Sequence, residues 1–152
     1  MPSNETGKIK SARKLFASIV IASVIALICG IAFLTRSTTE TLTVNNHTYH
    51  LQVASTETAM EKGLGGREYM PAAEGMLFDM GRSTKQCYWM KDMRFPLDII
   101  WLDEDQHVTH IERSLRPDTY PKRYCAEGRY VIELNAGQSD IADFKLDQTL
   151  RF

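Results

Sequence analysis

Hydrophobic positions divide the chain into two unlike stretches. From Leu15 to Leu34 the sequence LFASIVIASVIALICGIAFL runs for twenty residues without a charge, whereas beyond Thr41 apolar residues come in short runs broken by polar ones. At about 1.5 Å per helical residue the first stretch matches the roughly 30 Å hydrocarbon core of a bilayer, and it is apolar on every face. It predicts one transmembrane helix. Lys8, Lys10, Arg13 and Lys14 precede it and only Arg36 follows closely, so the positive-inside bias puts the N-terminus in the cytoplasm and the remainder outside. A cleaved secretory signal is the competing reading. Its apolar core usually runs about 7–15 residues, and the small pair Gly30 and Ala32 is followed here by more apolar residues rather than a polar exit. The expected organisation is a basic cytoplasmic tail (1–14), a signal anchor (15–34), a polar linker (35–40) and an extracytoplasmic domain (41–152).

Within that domain the pattern has the period of strands. Thr41–Val44 and His47–Ala54 flank Asn45-Asn46, two residues that tolerate positive φ, and so predict a tight hairpin. A short helix is expected next, capped by Ser55 or Thr56, with Glu57 in its first turn and Gly63 at its end. Gly75–Met80, Gln86–Met90, Leu97–Leu102, Val108–Leu115 and Tyr130–Leu134 then read as strands. Leu97–Leu102 is nearly all apolar, which suits a central strand covered on both faces. A second helix is expected from a Ser139 cap to about Leu146, followed by an edge strand Thr149–Phe152. The predicted fold is mainly β, a mixed and mostly antiparallel sheet or barrel-like sandwich with two short helices.

Composition narrows the function. The net charge of −1 with interspersed acids and bases gives none of the whole-protein field that nucleic-acid binding needs, so DNA or RNA is a poor first expectation. Outside the membrane segment, which contains Cys29, only Cys87 and Cys125 remain. In an oxidising compartment they can form a disulfide, although spacing alone establishes no sulfur contact and two reduced thiols stay open as the alternative. They do not form a CxxC redox pair, and two thiols make an incomplete zinc site.

The segments Gly63-Leu64-Gly65-Gly66-Arg67, Gly75-Met76-Leu77-Phe78, Trp89-Met90-Lys91-Asp92, Pro96–Asp103 and Tyr130–Gly137 occur in order. Together they resemble the domain-of-unknown-function family 192 over about residues 41–152. The resemblance implies a compact, β-dominated domain, often exported or membrane-anchored, and carries no reaction or cofactor with it. Two positions depart from the family pattern. Gly65 stands where Met is frequent, which loosens the loop, and Gln106 stands where Gly is frequent, which puts a non-glycine residue at a turn position that can call for positive φ.

Arg67, Trp89, Lys91, Asp98 and Glu133 are the polar or amphipathic residues set in those segments, and they are the candidate ligand-binding residues. Period two places Asp98 with Ile100 and Leu102, so its carboxylate shares a face with core residues and needs a partner, for which Arg67 and Lys91 are the candidates. Glu133 falls on the face opposite Tyr130, Ile132 and Leu134. One reading is a cleft in which Arg67 and Lys91 hold an anionic or sugar-like ligand, Trp89 stacks on it, and Asp98 and Glu133 orient it. The plainer reading makes Arg67–Asp98 a buried ion pair, Glu133 a solvated residue and Trp89 part of the core. The expected role is an anchored module that binds a small molecule or an envelope component; the alternative is a hydrolase-like enzyme using Asp98 and Glu133 as acid and base. Met70, Met76, Met80, Met90 and Met93 crowd one region and could bind a soft metal, but packing explains them better, and His107 and His110 are not spaced to join them. No phosphate loop, Ser/His/Asp order or His-rich motif is present, and no cofactor is expected.

Overall fold

The computed structural model describes residues 38–152 and, before them, Ile21 alone. The expected basic tail, membrane segment and most of the linker lie outside the described residues. Among the described residues no helix is long and apolar enough to cross a membrane.

Strand β1 (Thr39–Val44) starts two residues before the expected domain boundary and turns through Asn45 and Asn46 into β2 (His47–Ala54). Both asparagines take positive φ, 46° and 69°, as a primed hairpin turn demands. Helix α1 (Glu57–Lys62) follows. Thr56 caps it by accepting from the Ala59 amide at 3.1 Å, and Gly63 ends it at φ 51°, ψ −133°. That combination is open to glycine and strained for any residue with a Cβ.

Strand β3 (Glu74–Tyr88) is one long strand where two were expected. It pairs antiparallel with β6 (Tyr124–Asn135) over Gly75–Asp79 and again over Thr84–Tyr88, with an irregularity between. At the break the Asp79 carboxylate accepts from the Gly81 amide at 2.8 Å and from Arg129 at 3.1 and 3.2 Å. Strands β4 (Leu97–Leu102) and β5 (Val108–Leu115) keep the predicted bounds, and every residue of β4 is buried. In the turn between them Asp103 accepts from the Asp105 and His107 amides, each at 2.9 Å, and Gln106 takes φ 66°.

The strands form one six-stranded sheet in the order β1-β2-β3-β6-β4-β5. Only the β2–β3 pair is parallel. The sheet is open, with β1 and β5 as its edges, so the barrel-like version of the prediction does not hold as a closed form. A hydrophobic cluster nevertheless draws Leu42 and Val44 from one edge and Val108 from the other, together with Ile100, Ile132 and Phe144. The sheet is therefore curved around that cluster. A second cluster on the opposite face contains Met76, Phe78, Met90, Ile99, Trp101 and Val131.

Two C-terminal expectations are corrected. Helix α2 (Gln138–Ile141) has four residues and is preceded by Gly137 at φ 87°, with no side-chain cap. Ser139 lies inside it and is buried. The helix stops short of Leu146 because Asp143 takes φ 53°, which turns Phe144 back so that its amide donates to the Ser139 carbonyl at 2.9 Å and its ring enters the first cluster. Thr149–Phe152 forms no strand; only Thr149 bridges, to His107.

Candidate functional site

Register decides which predicted residues can meet. Across the sheet, Gln52 of β2 pairs with Met76 of β3, Met76 with Glu133 of β6, and Glu133 with Ile99 of β4. Paired residues share a face, so these four form a transverse row on the side of the second cluster. Asp98 pairs with Leu134, and Leu134 with Gly75. That row lies on the other face. Asp98 and Glu133 thus point to opposite sides of the sheet, so these two carboxylates do not form the acid–base pair of the hydrolase-like alternative.

Asp98 has a structural task. It is fully buried, and it bonds neither Arg67 nor Lys91. Its Oδ1 accepts from the Ser114 amide at 2.8 Å and its Oδ2 from the Ser139 amide at 2.9 Å. Ser114 sits at φ 53° where the β4–β5 register slips between Leu97 and Ile99, so one oxygen fixes that bulge and the other fixes the start of α2. The expected partner for the carboxylate was a cation; two backbone amides serve instead, one to each oxygen.

Glu133 reverses its expected setting. It was read as solvated on the plainer account, yet its exposure is 6 % and its Oε2 has no hydrogen-bond partner. Burial raises its carboxyl to about 8, against a smaller opposing pull from Arg67. Arg67 donates to the Gln52 amide oxygen and makes no hydrogen bond or ion pair with Glu133, so its pull on the carboxyl acts through space and is smaller than the effect of burial.

Above Glu133 lies a cavity of about 910 Å³. Its walls come from α1, from the Gly63–Gly66 loop, from both halves of β3 and from the Trp89–Arg94 segment. The two motif loops are tied together by the Gly66 amide, which donates to the Asp92 carbonyl at 2.9 Å. Leu64 anchors the first loop in the core at 1 % exposure and Met90 anchors the second at 1 %. Of the predicted residues, Trp89, Lys91 and Glu133 line this cavity, Arg67 acts on it from the side, and Asp98 is excluded.

Trp89 is 41 % exposed rather than part of the core. Its ring is held by Arg123 at 4.7 Å from the centroid and by Tyr120 edge-on at 6.2 Å. Tyr88 was missed. Its ring packs edge-on against Phe78 at 5.3 Å and Trp101 at 5.8 Å, and its buried hydroxyl has no partner. Burial, reinforced by the nearby Glu133 charge, pushes that phenol far above its ordinary range. Met60 was missed as well. It joins Met80 and Met93 in the cavity wall, whereas Met70, Met76 and Met90 are core residues. The signal for Tyr88 was present in the sequence: period two puts it on one face with Gln86 and Met90, beside an apolar position.

The bond between Cys87 and Cys125 is formed. It joins directly paired residues of β3 and β6, and Cys87 also borders the cavity. Among the described residues, no group of three or more His, Cys, Asp or Glu side chains is arranged to hold a metal ion.

Two solved structures are similar to this fold. A candidate transcription regulator from Sinorhizobium meliloti 1021 is 26 % identical with a TM-score of 0.70, covering 77 % of this chain and 95 % of its own. A protein of unknown function from Novosphingobium aromaticivorans DSM 12444 is 25 % identical with a TM-score of 0.69, covering 75 % and 85 %. No curated protein matches the chain. The family model DUF192, described as "Uncharacterized ACR", matches residues 40–152, and the chain belongs to that family.

Proposed function

We propose that the protein is a membrane-anchored extracytoplasmic module that binds a small molecule or a cell-envelope component in the cavity over Glu133. The observation that carries this reading is the buried carboxyl itself. A polar atom without a partner costs about 1–3 kcal/mol, and Glu133, which carries that atom, lines an opening large enough for a drug-sized ligand. The surrounding residues belong to the loops Gly63–Arg67 and Trp89–Asp92, so the segments that carry the family resemblance converge on one place. Catalysis lacks comparable support, since the second carboxylate is on the far face.

The anchor rests on the uncharged stretch Leu15–Leu34 and its basic flank, and the Cys87–Cys125 bond agrees with an oxidising compartment. The description of the Sinorhizobium protein as a candidate regulator is said of that protein, and the net charge of −1 of this chain adds no support for nucleic-acid binding.

The test is a thermal-shift screen of the full-length protein in detergent against envelope-derived sugars, peptides and metabolites, repeated with Glu133→Gln and Trp89→Ala. The reading predicts hits that both changes weaken; hits indifferent to both remove the site. In the same preparation of cells, protease added to spheroplasts should digest the domain. Protection of residues 41–152 until lysis would overturn the outward placement.

A further inference from the structure

We infer that the ligand of this cavity presents an ammonium group to Glu133 and lays an apolar, preferably aromatic, body along the wall above it. The inference rests on the reading of the cavity as a ligand site and names the chemistry of its occupant.

Four buried side-chain atoms among the described residues lack a hydrogen-bond partner, and two of them, Glu133 Oε2 and Tyr88 Oη, belong to residues of this one cavity. Both oxygens can accept. A carboxylate accepts only, a phenol accepts while donating elsewhere, and a primary ammonium offers three N–H donors and needs no acceptor. A neutral donor such as a hydroxyl or amide would be held equally well by glutamine at this position, without burying an ionisable group. Only a cation recovers the charge that burial otherwise suppresses. Once ionised, the same carboxyl disfavours an anion.

The wall fits the rest of such a molecule. Phe78 and Tyr88 supply aromatic surface, and Met60, Met80 and Met93 supply flexible thioethers that reshape around an apolar body. Gly63 keeps the approach open, since a Cβ there would stand 3.8 Å from Glu133 Oε2 and 3.6 Å from the Phe78 ring. Its φ of 51° also makes any larger residue strained.

Other charges face Glu133 from each neighbouring element. Arg67 reaches it from the loop after α1, and the Tyr88 phenol from β3. Glu61 and Lys62 stand on α1, and Lys91, Asp92 and Arg94 on the segment after β3. Arg94 is paired with Glu68. The mouth therefore mixes both signs and does not repel a cation as a whole.

Because Glu133 holds its proton up to about 8, an ammonium can enter only as that proton leaves. Affinity should rise about tenfold per pH unit below that value and level off above it, until the amine itself deprotonates near pH 10.

The test is calorimetric titration of the full-length protein in detergent with three probes of one shape: phenethylamine, phenylethanol and phenylpropionate. Phenethylamine should bind at millimolar concentration or better, tighten from about pH 6 to about pH 8 as stated, and lose binding in Glu133→Gln, with a smaller loss in Tyr88→Phe. Thermal unfolding of both variants checks that they fold. Equal or tighter binding of either other probe, a pH-independent affinity for the amine, or no binding of the three overturns the inference. If the wider screen still yields a ligand sensitive to Glu133→Gln, the cavity remains a ligand site and only the ammonium assignment fails; if it yields none, both fall.

Discussion

Two acidic residues one strand apart have opposite lives in this domain. Asp98 is buried and fully partnered by the Ser114 and Ser139 amides; Glu133 is buried and lacks a partner for Oε2. Asp98→Asn should therefore destabilise the protein, because a carboxamide has one acceptor oxygen and turns an N–H toward the second amide. We expect a loss of about 2–4 kcal/mol in urea unfolding, with ligand binding over Glu133 unchanged. An unaltered midpoint would contradict the bonding described. Period two correctly separated the faces of Asp98 and Glu133 from their neighbours. It could not say which face is covered by loops, nor that backbone amides would bond Asp98, because an amide carries no residue signature. Hence Asp98 was grouped with Arg67 and Lys91, from which the sheet divides it.

At the scale of elements, legibility followed local chemistry. The Asn45-Asn46 hairpin and the all-buried β4 were readable because turn chemistry and a continuous apolar run leave few alternatives. Strand β3 was read as two because its middle, Gly81-Arg82-Ser83-Thr84-Lys85, is polar; pairing with β6, a long-range feature, carries the strand through. The glycine in Gly75-Met76-Leu77-Phe78 has a reason that only packing shows. A Cβ there would come within 2.7 Å of the Glu133 carbonyl oxygen and within 2.8 Å of a Leu51 methyl group. Sequence spacing also left the cysteine pair open, and pairing of β3 with β6 brings Cys87 opposite Cys125. Reduction, or Cys87→Ser with Cys125→Ser, should lower the unfolding free energy by about 4 kcal/mol on the loop-entropy argument. Ready alkylation of both thiols without reductant would show the bond absent.

At the scale of the whole described domain, the curved open sheet presents a packed face closed by the C-terminal segment and a second face that α1 and two loops cover incompletely. The cavity is the incomplete part, and Glu133 is its chemical mark. Its raised carboxyl links stability to pH in a definite direction. Below about pH 4.5 the group is protonated both folded and unfolded, and contributes no difference. Between there and about 8, where the folded carboxyl titrates, the folded chain holds a proton that the unfolded chain has released, so stability falls as pH rises. Above that window the full cost is present, at most roughly 4–5 kcal/mol. Glu133→Gln removes it. The most direct measurement is the difference in unfolding free energy between Glu133→Gln and the wild type, taken without ligand from about pH 4 to about pH 9. A stabilisation by the variant that grows across the window and levels off near pH 8 is the predicted result; a difference independent of pH, or a variant progressively less stable than wild type as pH rises, would contradict a buried, unpaired carboxyl lining the cavity.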